Sequence, residues 1–304
     1  MSTLTALAHA ENLGFDWDDI RAIYRDGKTT HALEIDNDSF LVVRDSDGFF
    51  YTSGLRYSQR YALHRADQLA VVGWQFGQEQ YTASDIKILP GALASNDHPY
   101  AAWLYVGAFK ELHHADGSSW KLGLDIGCIG PCAGGERGQD MIHRIGHYPL
   151  PQSWSTQIKN EVGAILYGSV SPVRWHPSGW LDVTPYANGR FGNIYADASG
   201  GVVARAGALN LLPDGSTLHA FFFRVDARAV AYNASLQGGY FFSNDNIHTV
   251  QPKRFVGEAE LGFARNDGPF SFRASVVRRS TEIRGLSNAI GAQSFARLLF
   301  AYTM

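Results

Sequence analysis

The feature that most constrains this chain is a two-residue alternation of apolar and polar side chains that recurs along most of its length. In 119–128, Trp120, Leu122, Leu124 and Ile126 share one face, and Lys121, Gly123, Asp125 and Gly127 share the other. In 254–265, Phe255, Gly257, Ala259, Leu261 and Phe263 oppose a face bearing Glu258 and Glu260. In 292–303, Ala296, Leu298, Phe300 and Tyr302 align, and Arg297 falls opposite. A period of two is the signature of a strand with one greasy and one polar side. Such strands read at 34–44, 52–62, 69–80, 100–112, 119–128, 157–170, 180–189, 201–210, 217–230, 253–265, 270–281 and 292–303.

Loop length separates a barrel from a soluble sandwich, which also alternates. Segments 81–99, 129–156 and 231–252 are long, whereas 63–68, 113–118, 211–216 and 266–269 are short, two of them carrying the turn sequences PDGS and NDGP. Long connections alternating with short ones over about twelve strands predict a closed antiparallel up-and-down transmembrane β-barrel, with short periplasmic turns and long extracellular loops. Phe300 and Tyr302 near the C-terminus suit an interfacial aromatic girdle. Composition agrees: charged residues are only 18% and aromatics 13%, a mix that suits strands better than helices. A net charge of −3 offers no basic field for nucleic acid. No run of about 18 apolar residues is present, so no spanning helix is expected, which leaves barrel strands as the route across a membrane.

Ala8-His9-Ala10 resembles a signal-peptidase site. Residues 1–10 are therefore expected to be a signal-peptide remnant, 11–33 an N-terminal extension, and 34–304 the barrel.

Four polar clusters interrupt the strand pattern. Asp36-Asn37-Asp38 sits where Asp and Asn are disfavoured; it reads either as a lumen-facing patch or as oxygen ligands for a hard cation. Tyr51-Thr52-Ser53-Gly54-Leu55 and Asp97-His98-Pro99-Tyr100-Ala101 lead into strands. The fourth cluster is the loop 129–156, whose middle, 136–146, reads as a short helix with Gln139 and His143, then His143 and His147, one turn apart. A histidine so placed can act as a general base near neutral pH. Cys128, Cys132, His143 and His147 approach a zinc-finger spacing, but the finger's small apolar core is missing; a local Cys128–Cys132 disulfide is the other reading, left open at this level. No G-x-S-x-G element supports a serine hydrolase.

In this order, EIDNDSF, YTSGLR, GQEQYTASDI, DHPYAAWLYVG, LGLDIGCIGP, GQDMIHRIG, SWSTQIKNE, GNIYADASGG and NDNIHTVQPKRFVGEAELGF make the chain resemble the LpxR-type lipid A deacylase family. The resemblance implies a twelve-stranded outer-membrane barrel that removes the 3′-acyloxyacyl group of lipid A in lipopolysaccharide, with calcium; a monomer is expected, though the sequence does not reveal the oligomeric state. It assigns Asn37, Asp38, Thr52, Gln139 and His143 to the catalytic site, with Asp38 and Thr52 holding Ca2+ near the ester oxygen and His143 activating water. Two positions depart from the family pattern: Pro149 stands where a calcium-binding glutamate is expected, with Glu136 as a conceivable substitute, and Lys87 only neighbours the position of an assisting basic residue. The alternatives are a non-enzymatic barrel, such as a narrow pore, and a soluble β-sandwich.

Overall fold

The computed structural model describes residues 16–41, 50–65, 67–210, 212–213, 217–242 and 245–304; the expected signal remnant at 1–10 lies outside them. Helix α1 (Trp17–Asp26) precedes strands β1 (Lys28–Asn37), β2 (Tyr51–Arg65), β3 (Gln68–Tyr81), β4 (Ala101–His114), β5 (Ser119–Ile129) and β6 (Glu161–Ser171). Then come the short β7 (Trp175–Ser178) and β8 (Leu181–Gly192), β9 (Tyr195–Ala208), β10 (Leu218–Asn233), β11 (Phe255–Asp267), β12 (Phe270–Arg279) and β13 (Gln293–Thr303). Helix α2 (Gly135–Gly146) lies in the β5–β6 loop; α3 (Ala234–Gln237) and α4 (Asn288–Gly291) are single turns. Every neighbouring pair is antiparallel, β1 meets β13, and β6 pairs with β8 from Ile165↔Gly192 to Val170↔Ala187. The result is a closed barrel of twelve strands, with β7 an extra hairpin strand on β8.

Three expectations need correction. The first strand runs over 28–37 rather than 34–44, so residues 28–33 belong to the barrel and not to an extension, and Asp38 lies beyond the strand end. The β8–β9 connection, expected across 190–200, is a two-residue turn at 193–194, so one link on the long-loop side is short. The hairpin strand β7 went unread, because four residues are too few for alternation to register.

Alternation sorts the two faces. Leu122, Leu124, Ile126, Phe221, Phe255 and Leu261 are exposed on the outside, where lipid is their natural solvent. The inside is held by ion pairs: Arg297 grips Asp36 through two 2.8 Å hydrogen bonds, Arg279 Nε donates to Glu258 at 2.8 Å, and Glu111 takes Arg60 at 2.6 Å and Lys121 at 3.1 Å. Low-dielectric charge is tolerable only when paired in this way. Tyr51, Tyr81, Trp103, Tyr105, Tyr195 and Phe295 belong to one buried cluster towards the extracellular end, and Leu212 packs against Leu69, Val71 and Phe109 at the periplasmic end.

Helix α1 does not enter the barrel. Its Ile20 and Ile23 pack on Tyr61, Leu63, Ala70, Val72, Leu112 and Trp120, all on the outward phase of β2–β5. Asp16 caps its first turn and Arg65 pairs with Asp19.

Candidate functional site

The lumen holds cavities of about 370 and 390 Å³, yet neither is lined by Asn37, Asp38, Thr52, Gln139 or His143. Strand phase explains why. Asp36 points inward to Arg297, so Asn37 points outward. It pairs with Ser53, which pairs with Gln80. The polar residues of this corner therefore lie on the outer wall, at the long-loop rim.

A register shift between Tyr51 and Ser53 makes room for Thr52. Its carbonyl accepts from the Asp38 amide at 3.3 Å, and its hydroxyl meets that of Thr82 at 2.7 Å. Asn37 Oδ1 accepts from the Ser39 amide at 2.8 Å and from the Ser39 hydroxyl. Asp38 is 8% exposed. Burial pushes its carboxyl up to about 8, against backbone hydrogen bonds that lower it, and among the described residues no cationic side chain pairs with it. A bound cation would relieve the cost of burying that carboxylate.

Helix α2 is seated on this wall by small residues and amides. A Cβ on Gly135 would sit 2.5 Å from Ala102 Cβ and 2.7 Å from the Trp154 ring, so only glycine permits the approach. Gln78 donates to the Ala133 carbonyl at 2.6 Å, and Gln80 donates to Gln78 at 2.8 Å and to the Gly135 carbonyl at 3.5 Å. Ser53 donates to Gln80 at 3.2 Å, so one amide links the Thr52 strand to the foot of α2. Gln139 is buried, and its Oε1 accepts from Trp154 Nε1 at 2.9 Å. That bond fixes the amide's orientation and leaves Nε2 without a hydrogen-bond partner among the described residues.

Beyond its foot α2 grows more exposed: Gln139 is 4% exposed, whereas Ile142, three residues on, is 57%. His143, one turn beyond Gln139, is half-buried. His143 Nδ1 lies 2.6 Å from the Pro149 carbonyl. A carbonyl only accepts, so Nδ1 carries the proton and Nε2 is the basic nitrogen. Tyr148 packs edge-on against the imidazole at 5.8 Å.

Of the residues expected in the site, Asn37, Asp38 and Thr52 meet at the β1–β2 corner, and Gln139 and His143 share α2. Ser53 and Gln80 link the strand of the first group to the foot of the helix that carries the second. His147 ends the helix in a left-handed conformation at φ 56° rather than extending it. Glu136 is exposed. Lys87 is exposed in a loop whose Ile86 and Ile88 carbonyls accept from Gln152 and Ser153. Cys128 and Cys132 form a disulfide, so the zinc-like spacing holds no metal. Among the described residues no three His, Cys, Asp or Glu side chains gather as a metal cluster. Asp97 is structural, accepting from Ser84 and from the His98 amide. Ser53, Gln78, Gln80, Trp154 and the Pro149 carbonyl were missed. Gln78 and Gln80 carried a readable signal, being polar residues in phase with the greasy Trp74 and Phe76.

A closed twelve-stranded barrel with a greasy exterior, a charge-filled interior and its polar corner on the outer wall defines an outer-membrane β-barrel protein. The family model described as "Outer membrane protein LpxR" matches residues 1–304, and the chain belongs to that family. Its structure is similar to that of LpxR from Salmonella typhimurium, with a TM-score of 0.74 and 23% identity over 90% of this chain and 99% of that one. The beta domain of the Bordetella autotransporter Brka follows, with a TM-score of 0.49 and 12% identity over 91% of this chain and 98% of that one. Among curated protein sequences none matches. The site of action is accordingly the outer membrane.

Proposed function

We propose that this protein is a lipid A deacylase that hydrolyses the 3′-acyloxyacyl ester. The reading is carried by one observation: a histidine with its tautomer fixed by the Pro149 carbonyl stands on a helix seated against the outer face of a membrane barrel. A soluble substrate would not need that placement. A lipid of the outer leaflet can approach that helix sideways, without leaving the membrane.

In this mechanism His143 Nε2 takes a proton from water as the water oxygen attacks the ester carbonyl. The tetrahedral intermediate collapses, the ester C–O bond breaks, and the imidazolium returns the proton to the departing alkoxide. The products are a hydroxyl on the sugar-linked side and a free carboxylic acid. A positioned base of this kind contributes about 10²–10⁴-fold. Gln139, locked by Trp154, fixes the height of α2 against the wall and so positions His143.

The donor set suits calcium: a buried carboxylate on Asp38 with no ion pair among the described residues, and the oxygens of Thr52 and the Asn37 amide beside it. When bound, calcium would supply Lewis-acid stabilisation of the developing oxyanion. Pro149 contributes no carboxylate. A site with one acidic ligand belongs in the weak range, with Kd on the order of 10⁻⁴–10⁻³ M.

The test is mass spectrometry of lipid A from cells producing the wild type or His143→Ala. Acyl loss in the wild type and none in the variant is expected. Identical spectra without acyl loss in either would overturn the enzyme reading.

A further inference from the structure

The greasy exterior of the barrel is not of uniform height. On β9, β10 and β11, five successive outward rows carry no polar side chain, from Ala206–Phe221–Phe263 to Ala198–Ala229–Phe255. On β12 and β13 there are four, from Phe270–Tyr302 to Val276–Ala296. On β1 and β2 there are two, Ile35–Leu55 and Leu33–Tyr57. They are bounded above by Asn37–Ser53 and below by His31–Gln59.

The lower boundary is a built feature. His31 Nδ1 and the Tyr57 hydroxyl lie 2.6 Å apart, and Trp74 Nε1 donates to Gln59 at 3.2 Å, both on the outward face. Just below them α1 covers the wall, with Tyr24 against Tyr61 at 4.5 Å. The face that α1 turns outward bears Asp18 and Arg21, with side chains 84% and 78% exposed. A charged helix face of this kind does not sit in hydrocarbon. The polar row and the helix thus mark the same membrane edge independently. Three missing rows of two residues each, at about 3.3 Å per residue and a strand tilt of about 40°, shorten the apolar wall by about 15 Å.

We propose that the bilayer thins against the β1–β3 flank, and that this thinned collar presents outer-leaflet lipid to the site above it. The occupant of this face is the lipid bilayer itself, continuous with the greasy wall around the rest of the barrel. A wall shorter than the hydrocarbon core is met by local thinning of the membrane. An ester that lies below the headgroups of an ordered leaflet is brought within reach of His143 on α2. The delivery step rests on the deacylase reading above; the thinning does not.

The experiment places a fluorophore on Leu33→Cys and, separately, on Val225→Cys, with the Cys128–Cys132 disulfide intact. Protein is reconstituted in phosphatidylcholine vesicles carrying spin labels near the headgroup or near the chain end. The label at 33 should favour the shallow quencher by about two-fold or more over the label at 225, as a locally thin bilayer requires. Equal depth at the two positions overturns the proposal. In His31→Leu/Gln59→Leu, checked for folding by heat-modifiable mobility, the label at 33 should move deeper. The same variant should deacylate lipid A normally in thin dimyristoleoyl vesicles and about ten-fold more slowly in thick dieicosenoyl ones. An unchanged thickness dependence overturns the delivery step. No deacylation by the wild type in any vesicle overturns the function, while the depth contrast still decides the thinning.

Discussion

Replacing Gly135 by alanine tests whether the seat of α2 on the wall governs the chemistry at its other end. The added Cβ meets Ala102 Cβ at 2.5 Å and the Trp154 ring at 2.7 Å. Ordinary carbon contacts are about 3.5–4.0 Å, so the helix must rise by about 1 Å. Neither neighbour can yield, since Ala102 is 0% and Trp154 1% exposed. Overpacking of this kind costs about 1–3 kcal/mol, offset by about 1 kcal/mol of helix propensity gained over glycine. The net stability change is small, but a displacement of about 1 Å at a reacting group lowers the rate by about 10²-fold. Gly138→Ala is the control. Its Cβ lies 3.2 Å from Gln80 Nε2, the far end of a flexible side chain, and can be accommodated. Deacylation is followed by mass spectrometry of lipid A in vesicles, and barrel integrity by heat-modifiable mobility. The reasoning is refuted if Gly135→Ala keeps wild-type activity, or if Gly138→Ala is the more damaged of the two.

Three further outcomes follow from the same geometry. Trp154→Phe strands both polar atoms of Gln139, at a cost of about 1–3 kcal/mol, so protease should cut the 129–160 loop sooner while the barrel stays folded. Under the proposed calcium binding, the ion has to displace the proton that burial holds on Asp38 up to about 8. Calorimetry should therefore show affinity rising about ten-fold per unit from about pH 6 to about pH 8, and Asp38→Asn should abolish that slope. Burial of His98 pushes its imidazole below the usual value, and its Nε2 has no hydrogen-bond partner among the described residues. The unfolded chain then binds more protons, so stability is present above about pH 6.5 and lost as pH falls below it. Hydrogen exchange in the 97–100 segment should speed up on acidification, and an unchanged rate would count against a neutral buried imidazole.

Twelve of the thirteen strands were legible because the barrel imposes two solvents on alternate residues, and the pattern survives wherever a strand is long enough to repeat it. The boundaries were less legible. Thr29 and Thr30 of β1 carry no greasy contrast, so the strand seemed to begin late, and Asp38 seemed to lie inside it. The site residues were found individually but not their geometry. Nothing in the sequence says that Ser53, Gln80 and Gly135 converge, since they are contributed by three elements. Nor does it say that Pro149, which offers no side-chain ligand, orients His143 through its backbone carbonyl. That contact depends on the turn through His147, which only the folded loop defines.

The division of labour between the two faces of the wall accounts for these failures. Asp36 and Asn37 are adjacent in sequence and nearly identical in size, yet one is buried against Arg297 and the other faces lipid at the rim. The inward residue is compensated within the fold and makes the barrel rigid. The outward one is held only by the Ser39 amide and hydroxyl among the described residues, at the rim that faces lipid. Strand phase, rather than residue type, therefore separates scaffold from site. The same phase places Gln78 and Gln80 under α2, and His31 and Gln59 at the lower edge of the short apolar wall. A polar side chain on the lipid-facing phase of a barrel strand is costly. Here those residues fall into two bands on one flank, so a single patch of the wall both seats the candidate base and sets the height of membrane beneath it.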